Sequence, residues 1–250
     1  MKKTKTLGIL AKQINYSDSS LVLTFFTREY GVIGVLAKGQ RKNTEKEQLV
    51  NLCEYDLVLY EPRESGLWLM GEYSLTRDFG LYAHPDTWSA AECGMELTSQ
   101  LFISPEEHKV IYSLLLSYLD YLTKVKKNAI LIYWRYFLRI IRHSGIGSPF
   151  DNCCYCHEAN STLVALEQAN TGLVCSKCFL EAGYSSAKKL SDKSALVIAL
   201  LPRIGFELDT LTLGKQEVIE INQILENYWS NHHKQTLKLK SLSVLIQFYQ

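Results

Sequence analysis

Four cysteines fall into two Cys-x-x-Cys pairs, Cys153/Cys156 and Cys175/Cys178, with 18 residues between the pairs. Within each pair two thiolates can converge on one cation at about 2.3 Å, and two such pairs close a tetrahedron. Soft sulfur donors favour zinc. A shell of four sulfurs leaves no position for water, so the site this spacing predicts is structural, not catalytic. An iron–sulfur cluster or a redox dithiol is the competing use of the same spacing. Cys154 and His157 adjoin the first pair. Cys154 could replace Cys153 only through a tighter Cys-x-Cys pair with Cys156, so both are left outside the shell. The seven cysteines are odd in number and five of them cluster, which suits a metal site in a reducing compartment better than a disulfide framework. Cys53 and Cys93 read as small buried apolar residues.

The other chemistry on offer is attraction of anions. Net charge is only +1, but the cations are segregated. Residues 1–42 hold eight Lys or Arg against Asp18 and Glu29, and residues 124–142 hold six and no acid. Local field, not net charge, steers an anionic ligand. Lys38, Arg41 and Lys42 follow a predicted strand and can neutralise phosphates from a loop, with Lys12 and Arg28 widening the patch. A solvated loop kept charged for solubility explains the same residues. Tyr16, Phe25, Phe26 and Tyr30 are the aromatics available for stacking on bases, although Phe25 or Phe26 suits the core better. Arg135, Arg139 and Arg142 recur at i, i+4 and i+7 on a helix otherwise apolar on most sides. Such a stripe invites a carboxylate or phosphate; snorkelling or pairing with an acid across the bundle is the plainer use. His232 and His233 read as surface residues. The sequence carries no P-loop, G-x-S-x-G, H-E-x-x-H or dinucleotide fingerprint, and nothing positive marks an enzyme.

The elements that must hold these groups are of two kinds. Residues 1–80 read as strands: an alternating stretch from Thr4 to Ile14, a hairpin through FTREYGVIGVLAKG, and a second hairpin from Tyr55–Tyr60 across Arg63–Gly66 to Leu67–Leu75. Five strands in about 75 residues suit a small closed barrel, most commonly the oligonucleotide-binding (OB) fold, with an SH3-like barrel as its rival. Beyond Asp78 the period becomes helical. Trp88 to Leu101 fits one helix. Ser104-Pro105-Glu106-Glu107 reads as a capping box opening another, with Ile111, Leu114, Leu115, Tyr118 and Leu122 on its buried face. Further helices are predicted over about Asn128–Arg142, from Leu190 to Pro202, over Lys215–His232 and over Ser241–Tyr249. A small hairpin, Leu163–Leu166 with Leu173–Val174, lies between the cysteine pairs. The predicted fold is therefore α+β: a barrel over 1–80 and a helical domain over 81–250, carrying the zinc-binding insertion at about 150–180. With 47% apolar and 21% charged residues the chain is globular. No apolar run is long enough to span a bilayer and the start lacks a signal-peptide core, so the expected location is cytoplasmic; association with the nucleoid is expected only if the chain binds DNA.

The arrangement resembles a known family, the bacterial recombination mediator RecO. An alternating strand is followed by Ser17-Asp18, by the FTREYG hairpin at 26–31, and by Ala37-Lys38-Gly39-x-Arg41-Lys42. Arg135-Tyr136-Phe137-Leu138, Gly145 and Cys153-x-x-Cys156 match the helix-to-zinc passage, and Gly172-Leu173-Val174-Cys175 the second pair. Leu237-Lys238-x-Lys240 matches a C-terminal family stretch loosely, since Leu239 and Lys240 stand where serine and arginine are usual. The resemblance implies binding of single- and double-stranded DNA, strand annealing, and help to RecR in loading RecA onto single strands coated by the binding protein SSB. It implies DNA contacts at Lys38, Arg41 and Lys42, and contact with the acidic SSB tail at Arg135 and, more weakly, Arg139. Two other functions fit the residues less well. A protein–protein adaptor would use the zinc ribbon and bind no DNA. A zinc-dependent nucleic-acid hydrolase would need an open metal position, which two Cys-x-x-Cys pairs do not leave.

Overall fold

The computed structural model describes the chain apart from residues 1, 42–47, 102, 149, 160, 168–171, 182–186, 202–203, 205–207, 209 and 250. It forms two compact units, Met1–Lys124 and Val125–Gln250.

In the first unit, β1 (Lys3–Asn15), β2 (Leu21–Thr27), β3 (Gly31–Ala37), β4 (Glu54–Tyr60) and β5 (Trp68–Arg77) close a barrel in the order β1-β2-β3-β5-β4. All neighbours are antiparallel except β3 and β5, which pair in parallel at Val35–Trp68 and Leu36–Leu69. A closed five-stranded barrel with one parallel closure is the OB arrangement the strand count predicted. Period two explains its packing. Leu10, Leu23, Phe25, Val35, Tyr55, Leu57 and Leu59 fill the interior. Phe25 meets Tyr55 edge-on inside the barrel at 6.2 Å, whereas Phe26 points outward to Tyr112 at 5.9 Å. Both phenylalanines are thus core, on opposite faces of one strand, and neither is available to stack on a base.

Two predictions for this unit change. The alternation from Thr4 to Ile14 is interrupted by a bulge between Leu10 and Lys12, after which Lys12, Gln13 and Ile14 are all exposed. The extra residue bends the strand, which suits closure of a small barrel. The Ser104 signal builds a turn instead of a cap. The Ser104 amide and hydroxyl both donate to Glu107 Oε2, at 3.2 and 2.7 Å, and the helix starts only at His108. A capping box and a preceding turn use the same Ser-x-x-Glu bonds, so spacing alone does not separate them. Helices α1 (Pro85–Ser99) and α2 (His108–Leu122) belong to this unit and cover the outer faces of β1 and β2. His108 also packs on Gly31, whose φ of +63° turns the β2–β3 hairpin. A Cβ there would sit 2.6 Å from His108 Nε2, so glycine is required both by the backbone and by the space.

The second unit is built around α3 (Ala129–His143). Its side chains are buried on nearly every side, leaving Arg135 half-buried and only Arg139, Arg142 and His143 exposed. Such a helix is a core element by composition. Beyond it come β6 (Leu163–Glu167), β7 (Leu173–Cys175), α4 (Ser176–Glu181), β8 (Ala187–Lys189) and α5 (Asp192–Leu200). The unit ends with α6 (Lys215–His233) and α7 (Lys240–Leu245), the latter running into a 3-10 turn, Ile246–Phe248. The predicted hairpin is present as β6–β7, but β8 adds a third strand on the other edge of β6. Its three residues, Ala-Lys-Lys, carry no strand signal of their own. Among the described residues, no helix is long and apolar enough to cross a membrane.

Candidate metal centre and nucleic-acid interface

The small sheet brings the two cysteine pairs together. Cys175 ends β7, Cys178 lies on α4, and Cys153 and Cys156 lie on the loop after α3. Their four Sγ atoms all lie within 4.8 Å of one another, and Cys156 and Cys175 are 3.8 Å apart. A tetrahedron with bonds of ~2.3 Å places its sulfurs about 3.8 Å apart, so the spacing fits one thiolate-bound ion. The backbone supports charged sulfur: the Cys175 amide donates to Cys153 Sγ at 3.3 Å, and the Cys178 amide to Cys175 Sγ at 3.5 Å. His157 adopts φ +57°, and its amide closes the first knuckle on the Cys153 carbonyl at 2.9 Å. Burial opposes ionisation of Cys153, but amides of Cys156, Cys175 and Tyr155 outweigh it and bring the thiol down to about 6. Burial and the neighbouring thiols push Cys178 up to about 12. A bound cation would favour the thiolate form of its ligands.

Cys154 stands apart from this group. Its amide donates to the Leu173 carbonyl at 2.8 Å, and its side chain packs over Gly172. A Cβ on residue 172 would lie 2.8 Å from Cys154 Cβ, an atom held close to the backbone that cannot swing away. We expect Gly172→Ala to push the first knuckle off β7, costing about 1–3 kcal/mol as an overpacking substitution. A chromophoric chelator should strip metal from it faster than from the parent chain. Equal stripping rates would mean that the knuckle moves freely against the strand.

The barrel cations divide into two groups. Register places Ala37 opposite Leu21, and Leu21 opposite Asn15, so the β1–β2 loop and residues 38–41 share one end. Arg41 ties them together. Its amide donates to the Ser19 carbonyl at 3.0 Å and its Nη1 to the Ser17 carbonyl at 2.5 Å. Gln40 adds a bond from its amide group to the Tyr73 hydroxyl. Lys38 and Arg41 are exposed, Tyr16 is 66% exposed in the adjoining loop, and Lys12 lies three residues back along β1. Among the described residues, none of these three cations is ion-paired. Arg28 is not part of this group. It lies in the β2–β3 turn, at the other end of the seven-residue β3, about 20 Å from Lys38 at ~3.4 Å per residue, and it faces Glu29 at 3.8 Å. Lys42 lies outside the described residues. Tyr30 leans on Trp68 at 4.8 Å and bonds Thr4, which leaves Tyr16 as the exposed aromatic among the four considered for stacking.

On the second unit, Arg135, Arg139 and Arg142 line one cavity of about 360 Å³ with Leu138, Phe150 and Leu201. Arg142 is partly committed: its Nη2 meets Asp151 Oδ1 at 2.6 Å, while Asp151 Oδ2 accepts the Ser148 amide. That pair pins the loop leading to Cys153. Arg139 is exposed, and Arg135 is half-buried with a partner of its own.

A closed OB-type barrel with exposed cations, and a helical unit carrying four clustered thiols that could hold one metal ion, are what the fold and the site define. Residues 1–79 match the family described as recombination protein O N terminal, and residues 83–242 match recombination protein O C terminal. The chain belongs to the recombination protein O (RecO) family. It is 26% identical to a DNA repair protein RecO of Chlorobium limicola over 97% of each chain. It is 23% identical to the protein of that name from Halalkalibacterium halodurans, over 97% of this chain and 94% of the relative. The figure is also 23% for Caldicellulosiruptor saccharolyticus, over 98% and 97%.

Proposed function

We propose that the chain is a recombination mediator in DNA repair, which binds single- and double-stranded DNA, promotes annealing and helps RecR load RecA onto SSB-coated strands. It works by binding, without covalent chemistry. The observation that carries this reading is the pair Lys38 and Arg41, exposed and without an acidic partner among the described residues, beside Tyr16 at one end of an OB barrel, with Lys12 exposed at mid-strand on β1. Cations there gather phosphates and release counterions, while Tyr16 offers a π-face to an unstacked base. Holding two strands near one another raises their effective concentration and speeds pairing. The barrel over residues 1–80 is the DNA-binding domain in this reading, with Lys42, next to Arg41 in sequence, as a further contact. Zinc is the resident ion of the four thiols and braces the insertion. The Arg135 and Arg139 cavity takes the acidic SSB tail, with guanidinium on carboxylate and Leu138 and Phe150 beside the tail's apolar end.

The deciding experiment is a salt series with a labelled single strand. The double charge reversal K38E/R41E should weaken binding at least tenfold and reduce the magnitude of the log–log salt slope by about 1.4, at ~0.7 for each phosphate no longer neutralised. An unchanged affinity and slope would instead favour the adaptor, with the basic residues only solvating the barrel.

A further inference from the structure

A second cationic cavity lies in the second unit, apart from the arginine-lined one. It is an open depression of about 710 Å³ bordered by β8, the two residues before α5 and one face of α6. Lys188, Lys189 and Lys215 stand around it. Lys189 meets Asp192 at 3.4 Å, a pair whose groups are 61% and 93% exposed and which solvent and salt screen readily. Lys188 and Lys215 are exposed and have no acidic partner among the described residues. The one acid in the lining, Glu220, already accepts the Ser191 amide at 3.1 Å. With three lysines against one carboxylate in its lining, the cavity keeps a positive excess.

Its remaining lining is not that of a bare phosphate site. Helix α6 turns Gln216, Ile219 and Gln223 toward it at i, i+3 and i+7, one stripe of a helix. Ile219 is left 38% exposed there, with Leu190 alongside. An apolar surface flanked by two carboxamides suits a flat heterocycle: the apolar side chains take its face, and the amides pair with its edge as glutamine does with adenine. The volume falls in the range of small-ligand sites, roughly 300–1,000 Å³.

The geometry points to a nucleotide-binding pocket, with the phosphates on Lys188 and Lys215, Lys189 assisting, and the base against Ile219 between Gln216 and Gln223. An acidic peptide would also satisfy the lysines and could pair with the carboxamides through its backbone; it is the competing outcome that the test separates. The nucleotide is either free or one unit of a nucleic-acid strand. In the second case the inference rests on the proposed DNA-binding function and supplies what annealing demands, a strand contact separate from the barrel cations.

The test uses the full zinc-loaded chain, with ATP titrated by calorimetry and a fluorescein-labelled oligothymidylate followed by anisotropy across a salt series. The variants are K188E/K215E and I219S, accepted once zinc content and thermal unfolding match the parent. K188E/K215E should lose at least tenfold in ATP affinity, or reduce the oligothymidylate salt slope by about 1.4 at ~0.7 per phosphate, or both. I219S should weaken the same ligand without changing the slope. An effect on ATP alone assigns a free nucleotide; an effect on the strand alone assigns a strand unit. K38E/R41E should leave ATP binding untouched. The inference is overturned if K188E/K215E matches the parent for both probes, or if the pocket binds an acidic peptide and neither probe. Should the parent chain ignore the strand altogether, the DNA-binding function fails, and the ATP titration alone decides the pocket.

Discussion

Removal of the proposed zinc ion, by a strong chelator or by Cys175→Ala, is expected to unfold the segment between about residues 150 and 190. The sheet there is three short strands, β6, β7 and β8, and two of them have only three residues. Among the described residues its buried apolar side chains, the thiols apart, are few: Leu163, Ala165, Leu173, Val174, Phe179, Ala187 and Leu190. So small a cluster does not outweigh the entropy of ordering the chain, roughly 1–2 kcal/mol per residue for the backbone alone. A structural zinc ion contributes about 10–16 kcal/mol in finger peptides near neutral pH, which is enough to reverse that balance. Cys175 is the most consequential ligand to lose, because it ends β7, accepts the Cys178 amide and donates its own amide to Cys153. Limited proteolysis should then cut within 150–190, and metal analysis should find one zinc per parent chain and none in the variant. Cys154→Ala is the internal contrast and should keep its zinc. A Cys175→Ala chain that resists protease there as well as the parent does would show that the sheet folds without metal.

Trp134→Ala should be the most damaging single change in the core of the second unit. Trp134 is fully buried at the middle of α3, and its indole Nε1 donates to Asn222 Oδ1 of α6 at 2.7 Å. Asn222 is itself buried, and its Nδ2 has no partner among the described residues. Truncation opens a large cavity, costing about 3–5 kcal/mol. It also strips the remaining bond from Asn222, adding roughly 1–3 kcal/mol for an unsatisfied buried group. Trp134→Phe separates the two parts: it keeps most of the volume, and its cost should be chiefly the orphaned amide. Urea unfolding monitored by circular dichroism should rank the chains parent, then Phe, then Ala. Equal midpoints for Phe and parent would mean that the indole bond contributes nothing net.

Much of this molecule is written in short-range pattern. Thiol spacing picked out the four cysteines that the fold brings within reach of one ion, because two residues between cysteines fix a knuckle whatever surrounds it. Alternation and turn residues determined the two hairpins, since the side-chain period of a strand and the positive φ at Gly31 are local properties. The apolar circumference of α3 likewise marked it as a central helix with an arginine seam. Tertiary structure alone decided what depends on register between distant segments. It closed the barrel through β3 and β5, separated Arg28 from Lys38 and Arg41 by the length of a strand, and sent Phe25 inward and Phe26 outward. It recruited Ala187–Lys189 as a strand only because the free edge of β6 was there to pair with. It also gathered Lys188, Lys215 and Ile219 around one cavity from segments that share no motif. The physical reason is the same throughout: a local pattern is enforced by the geometry of a few consecutive residues, whereas a shared surface exists only after non-local hydrogen bonds and packing choose which segments become neighbours.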